Sequence, residues 1–278
     1  MILQHILPKQ LLTRLAGRLA RMEGGKCTTA VIRWFIRRYG VEMGEAVQAD
    51  PTAYASFNQF FTRPLREDAR PFAPTGYLCP VDGAISQFGA IDEHRIFQAK
   101  GHHYTTTALV GGDADLAAVF KHGSFATLYL SPRDYHRIHM PCAGRLRRMI
   151  HVPGALYSVN PLTARNVPGL FARNERVVCE FDTAQGRFVL VLVGATIVGS
   201  MATAWHGVVN PPRPGAVREW RYDEDAPTLA RGEEMGRFLL GSTVVMLFPR
   251  DTVAFNDDWA PGKIVRWGEM MGRAVAGE

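Results

Sequence analysis

Three short stretches of this 278-residue chain hold side chains that do chemistry. The densest is residues 130–141, Leu-Ser-Pro-Arg-Asp-Tyr-His-Arg-Ile-His-Met-Pro, which places two histidines, two arginines, an aspartate and a tyrosine within residues 133–139. His136 and His139 are of a type that titrates near neutrality, so together they can supply a base and a proton donor. Their i, i+3 spacing shares one face only on a helix. Metal ligation is the weaker reading, because a site needs three or more ligands and no carboxylate or cysteine stands at ligand spacing. A polar loop stabilised by its own hydrogen bonds is the bland alternative. The second stretch is Pro80-Val81-Asp82-Gly83, a carboxylate at a glycine turn opening a strand, which in most chains is turn chemistry alone. The third is Leu239-Leu240-Gly241-Ser242-Thr243-Val244, a Gly-Ser step entering an apolar strand without the Gly-x-Ser-x-Gly pattern of a hydrolase elbow. Aspartate, histidine and serine are all available, in that chain order, but a triad is defined by geometry. From residues alone the chain carries a candidate Ser/His/Asp site.

The elements that must position these residues are mostly strands. Runs rich in β-branched and aromatic residues at 125–130, 176–181, 187–193, 195–201, 242–248 and 263–267 predict strands, and residues 183–186 predict a hairpin connection. Helical pattern is concentrated in residues 10–65, with a further piece at 113–121. Strands without regularly alternating helices predict an α+β fold: a mostly antiparallel, barrel-like catalytic core preceded by amphipathic helices. The expected division is a helical segment, 1–65, and a β-rich catalytic domain, 66–278. Residues 210–213 and 223–225 read as surface loops.

Charge is uneven along the chain. Residues 1–40 carry eight basic residues against Glu23 alone, a surplus of seven, while the whole chain is +6, so the remainder is at −1. Arg14, Arg18 and Arg21 alternate with Leu11, Leu12, Leu15 and Leu19; Arg33, Arg37 and Arg38 alternate with Val31, Ile32, Trp34, Phe35 and Ile36. Such helices suit the plane of an anionic membrane surface, where each cation contributes about 1 kcal/mol. Packing of the pair on the body, with arginines in solvent, is the equal alternative at this point. Positive charge does not continue into the body, which argues against nucleic acid. No run of 18 apolar residues predicts a membrane span, and no secretory signal pattern opens the chain. Four scattered cysteines predict reduced thiols in an intracellular protein.

Taken together, these segments resemble the bacterial membrane-associated phosphatidylserine decarboxylases. Phe57-Asn58-Gln59-Phe60-Phe61-Thr62-Arg63-Pro64-Leu65 is similar to a family signature, and so are Val81-Asp82-Gly83, residues 130–141, Asn174-Glu175-Arg176, Val193-Gly194-Ala195, Val198-Gly199-Ser200, Gly236-Arg237-Phe238 and Leu240-Gly241-Ser242-Thr243. The resemblance implies a self-cleaving proenzyme. Ser242 attacks the carbonyl of Gly241, the resulting ester is broken by β-elimination, and the dehydroalanine left behind hydrolyses to an N-terminal pyruvoyl group with loss of ammonia. Residues 1–241 become the large chain and 242–278 the small one. The resemblance also implies that His139 activates Ser242 and that Asp82 orients His139. The pyruvoyl group, the covalent cofactor derived from Ser242, then forms a Schiff base with phosphatidylserine and releases CO2 and phosphatidylethanolamine, with His136 in proton transfer or carboxylate positioning. No metal is implied. Arg133, Arg137 and Lys100 are open candidates for the phosphate. A homodimer, peripheral on the cytoplasmic face of the inner membrane, is the implied assembly. Competing readings are a pyruvoyl-dependent decarboxylase of a soluble amino acid, a Ser/His/Asp hydrolase that never cleaves itself, and a catalytically silent membrane-surface binding protein.

Overall fold

A computed structural model describes residues 9–196, 200–210, 215–239 and 243–275. The fold is α+β and its sheets are antiparallel, as expected, but among the described residues the main sheet stays open rather than closing into a barrel. In spatial order it runs Arg218–Arg221, Gly144–Val152, Arg176–Thr183, Gly186–Val193, Thr243–Phe248, Ser124–Tyr129, Gly83–Ala90 and Ile264–Val265. Thr243–Phe248 therefore lies inside the sheet, paired on one side with Gly186–Val193 and on the other with Ser124–Tyr129. All six of its residues are buried.

That strand reads as a continuous apolar run because both faces of the sheet are covered. Val244, Met246 and Phe248 enter one core with Leu128, Leu190 and Ile138, while Val245 and Leu247 enter a second with Val189, Val191 and Phe171. A smaller sheet lies over the first core, ordered Gly207–Val208, Met201–Thr203, Glu234–Phe238 and Arg137–His139. The predicted strand at 195–201 becomes the shorter Met201–Thr203; Ile197, Val198 and Gly199 lie outside the described residues. The hairpin at Thr183 is present, with Thr183 paired to Gly186. Gly144–Val152 was not anticipated: its Gly-Arg-Leu-Arg-Arg start looks like a solvated segment. Arg145 and Arg147 are exposed, whereas Arg148 is half-buried and is neutralised by Asp113, Glu180 and Glu219.

The N-terminal helices are Lys9–Arg21 and Lys26–Tyr39, the latter closed by Gly40 in the left-handed conformation (φ 67°). Ile32, Phe35 and Ile36 pack on Phe57, Phe60 and Phe61 in a third apolar cluster. Leu15, Leu19, Met22, Val31 and Trp34 remain exposed, so the pair is only partly consumed by packing. No helix among the described residues is long and apolar enough to cross a membrane.

Candidate active site

The short helix Phe57–Phe61 is capped by Ser56, whose hydroxyl accepts the Gln59 N–H. It turns Phe60 and Phe61 inward, and the chain then fastens onto the histidine segment. The Phe61 ring lies against the His136 imidazole, centroids 4.1 Å apart. The Thr62 carbonyl accepts Arg137 Nε (2.9 Å), and Arg137 is further fixed by Glu234 (2.8 Å). The aromatic signature is thus a brace for the histidines.

Residues 131–136 form a tight turn in which Asp134 accepts the Ser131 N–H (2.6 Å). Its carbonyl accepts His136 Nδ1–H (2.8 Å), so the lone pair of His136 is on Nε2. That Nε2 is buried and has no hydrogen-bond partner among the described residues. Burial in apolar surroundings, helped by the nearby Arg63 charge, pushes the His136 pKa down to about 3.

His139 sits at the end of Arg137–His139, a strand and not a helix, and three residues along a strand lead to opposite faces. The two histidines therefore diverge: His136 meets Phe61, whereas His139 stacks on the Trp267 indole at 3.7 Å. His139 Nδ1–H donates to the Gly232 carbonyl (2.9 Å), and Nε2 accepts the Tyr135 hydroxyl (3.0 Å). Burial pushes its pKa, too, down to about 3. Both rings are neutral at physiological pH, as a base must be before it takes a proton.

Asp82 is held from the other side. It forms an ion pair with buried Arg70 (2.5 Å) and accepts the Trp267 backbone N–H (2.8 Å). Burial opposes the charge on Arg70, but its bonds to Asp82 and Glu45 outweigh that and raise its pKa. Trp267 therefore touches both groups: its ring lies on His139 and its N–H on Asp82. The described hydrogen bonds join neither carboxylate oxygen of Asp82 to His139 directly. Gly241 and Ser242 lie outside the described residues, together with Leu240. The chain on either side of them is anchored. Phe238 N–H donates to the His136 carbonyl (3.0 Å) and Leu239 N–H to the Ser200 carbonyl (3.0 Å). Thr243 opens the central strand with a buried hydroxyl that has no partner among the described residues.

Of the open phosphate candidates, Arg137 is engaged by Glu234, and Lys100 lies in the turn of the Arg95–Ala99/His102–Thr105 hairpin, whose Ile96 and Tyr104 join the core on the far face of the sheet. Arg133 stands at the rim of a cavity of about 270 Å³ that Arg63, Asp82, Asp134 and Tyr135 also line. Tyr135, Trp267, Arg70 and Arg63 were not singled out from the sequence as site residues. Tyr135 sits inside the histidine segment and carried a signal there. Trp267 only looked like the last residue of an apolar strand.

Residues 57–273 match the family model for phosphatidylserine decarboxylase, and residues 1–40 match a second model, described as PSD. The chain belongs to the phosphatidylserine decarboxylase family. It is 72% identical over 269 residues to the phosphatidylserine decarboxylase proenzyme of an Azoarcus species, covering 97% of this chain and 93% of that protein. It is 69% identical over 269 residues to the enzyme of the same name from Dechloromonas aromatica, covering 97% and 95%. Within the family frame the two neutral histidines make one measurable demand. Each binds a proton near pH 6.5 when unfolded and only near pH 3 when folded. The unfolded chain thus holds more protons between these values, and stability falls as pH drops through that window. Chemical denaturation at pH 7 and pH 5 should show the loss, up to about 1.4 kcal/mol per pH unit for each histidine.

Proposed function

We propose that this chain is a self-cleaving phosphatidylserine decarboxylase that cuts itself between Gly241 and Ser242, and that the observation carrying this reading is the identity to decarboxylase proenzymes over nearly its full length. Ser242 is the nucleophile on the Gly241 carbonyl, because its oxygen can serve first as attacking and then as leaving group. Gly241 presents no side chain to obstruct that attack. His139 takes the serine proton. Its neutral ring, fixed by Gly232 and Trp267, suits that task, and the lone pair needed is the one that the Tyr135 hydroxyl occupies until the serine displaces it. Asp82 supports the resulting imidazolium by its charge, from a position fixed by Arg70 and the Trp267 N–H.

The pyruvoyl group so formed supplies an electron sink for decarboxylation. The surroundings fit such a group: His136, tied through its carbonyl to Phe238, has an imidazole nitrogen without a partner among the described residues, and the hydroxyl of Thr243, next in the chain, likewise has none among them. His136 handles a proton at Nε2 in the decarboxylation step. His136→Ala should therefore still cleave, at least in part, yet release CO2 poorly. Normal turnover of the cleaved variant would remove His136 from the second reaction.

The exposed Leu15, Leu19, Met22, Val31 and Trp34, beside Arg18, Arg21, Arg33, Arg37 and Arg38, support peripheral attachment to the cytoplasmic face of an anionic inner membrane, where the phospholipid substrate resides. Intact mass spectrometry of the purified protein, with a CO2-release assay on phosphatidylserine in micelles, tests the function. Expected are two chains of residues 1–241 and 242–278, the second blocked to Edman degradation. A full-length chain that is active without cleavage would defeat the reading.

A further inference from the structure

We propose that Arg63 is the anchor for the phosphodiester of the substrate, at the wall of the cavity between the end of the second helix and the histidine segment. The inference rests on the phosphatidylserine reading above and extends it to the group that the sequence left without a holder.

Arg63 is 3% exposed, and its Nε is buried without a hydrogen-bond partner among the described residues. Its one described hydrogen bond is a long one, from Nη2 to the Arg133 carbonyl at 3.4 Å, and its guanidinium lies 5.4 Å from the Phe60 ring centre. No carboxylate pairs with it among the described residues. A buried cation is ordinarily matched by an anion, since desolvation otherwise disfavours it. Arg70, close by and equally buried, meets that rule with two carboxylates, Asp82 and Glu45. The cavity lined by Arg63 also holds Glu42, Glu45, Asp82 and Asp134. Asp82 and Glu45 are engaged by Arg70 and Asp134 by the Ser131 N–H, so an anion that bonds Arg63 directly would come from outside the chain.

Size and position agree. At about 270 Å³ the cavity falls just under the range of sites for drug-sized ligands, roughly 300 Å³ upward, which suits a polar headgroup and excludes acyl chains. Gly40, at the end of the basic second helix, lies at its wall, and Tyr135, the partner of His139, at another. A guanidinium is also suited to phosphate oxygens, which it can grip by two parallel bonds. The substrate's carboxylate is the poorer match. Its charge disappears as CO2 leaves, so an arginine on it would stabilise the ground state more than the transition state and slow the reaction. The phosphodiester keeps its charge throughout, and binding it costs the chemical step nothing.

The test uses the full-length, self-cleaved enzyme, short-chain phosphatidylserine in micelles, and two soluble probes. Glycerophosphoethanolamine carries the phosphodiester without the carboxylate; free serine carries the carboxylate without the phosphodiester. Arg63→Met should raise KM on the order of 30-fold or more, the scale of truncating one partner of a buried charge pair, and should change kcat by less, through the loss of its charge beside His136. Inhibition by glycerophosphoethanolamine should weaken to the same degree while inhibition by serine holds, and Arg63→Lys should recover part of the loss. Unchanged KM and probe inhibition in Arg63→Met, or loss of serine inhibition in place of glycerophosphoethanolamine inhibition, overturns the assignment. A second measurement needs no variant. In wild-type protein, glycerophosphoethanolamine should slow deuterium labelling of the peptide that carries Arg63, and serine should not; equal labelling with and without the phosphodiester overturns the proposal. Failure of the wild type to release CO2 from phosphatidylserine would instead defeat the parent reading, which the labelling, read without turnover, leaves separate.

Discussion

Ser242→Ala is expected to yield one chain of 30.8 kDa and decarboxylation at background level. The effect should be complete because a single oxygen is needed twice. Without it there is no attack on Gly241, and without that attack there is no carbonyl cofactor for the substrate amine to meet. Folding gives the control. The central strand Thr243–Phe248, with its neighbours on both sides, retains all its buried side chains in the variant, so its melting temperature should match that of uncleaved protein. Intact mass and CO2 release from the same preparation are the readouts. Cleavage of the alanine variant at the same bond would exclude the serine as nucleophile.

Asp82→Asn carries the second large effect, and it falls on both stability and processing. Removing one partner of a buried ion pair costs about 3–5 kcal/mol when the other charge is left alone. Here Arg70 keeps Glu45, and the asparagine oxygen can still accept the Trp267 N–H, so the loss should be nearer 2 kcal/mol. Self-cleavage should slow markedly, since the negative charge supporting a protonated His139 has gone. Time-resolved gels of the folded variant measure it. Arg70→Met separates the two roles: it removes the same ion pair and leaves the carboxylate, so it should destabilise the protein yet process faster than Asp82→Asn. If Asp82→Asn cleaves at the wild-type rate, Asp82 has only a structural part.

The strands that the sequence revealed best are those buried on both faces, because a continuous apolar run such as Val244–Phe248 has few other ways to be satisfied. Gly144–Val152 was hidden by arginines whose neutralising carboxylates come from distant segments, a pairing that periodicity does not encode. The site divides along the same line. Asp82, His136 and His139 stood out by residue type and local spacing. The relation among them did not: the strand geometry at Arg137–His139 turns the histidines apart, and Trp267 reaches His139 and Asp82 only through tertiary packing. Arg63 was in view as a letter of a motif. What points to it as a ligand-holder is that no carboxylate among the described residues pairs with it, a relation that exists only in three dimensions.

The placement of Thr243–Phe248 has a consequence for the mature molecule. Its five apolar side chains each contribute roughly 1.5–3 kcal/mol by burial, enough to keep the small chain seated after the cut. Before cleavage, folding is a unimolecular event in which the strand is tethered to its neighbours. After cleavage the same strand belongs to a separate polypeptide, so recovery from denaturation becomes an encounter between two molecules and depends on their concentration. The backbone bond is broken once, and from then on regaining the native state requires the two chains to meet.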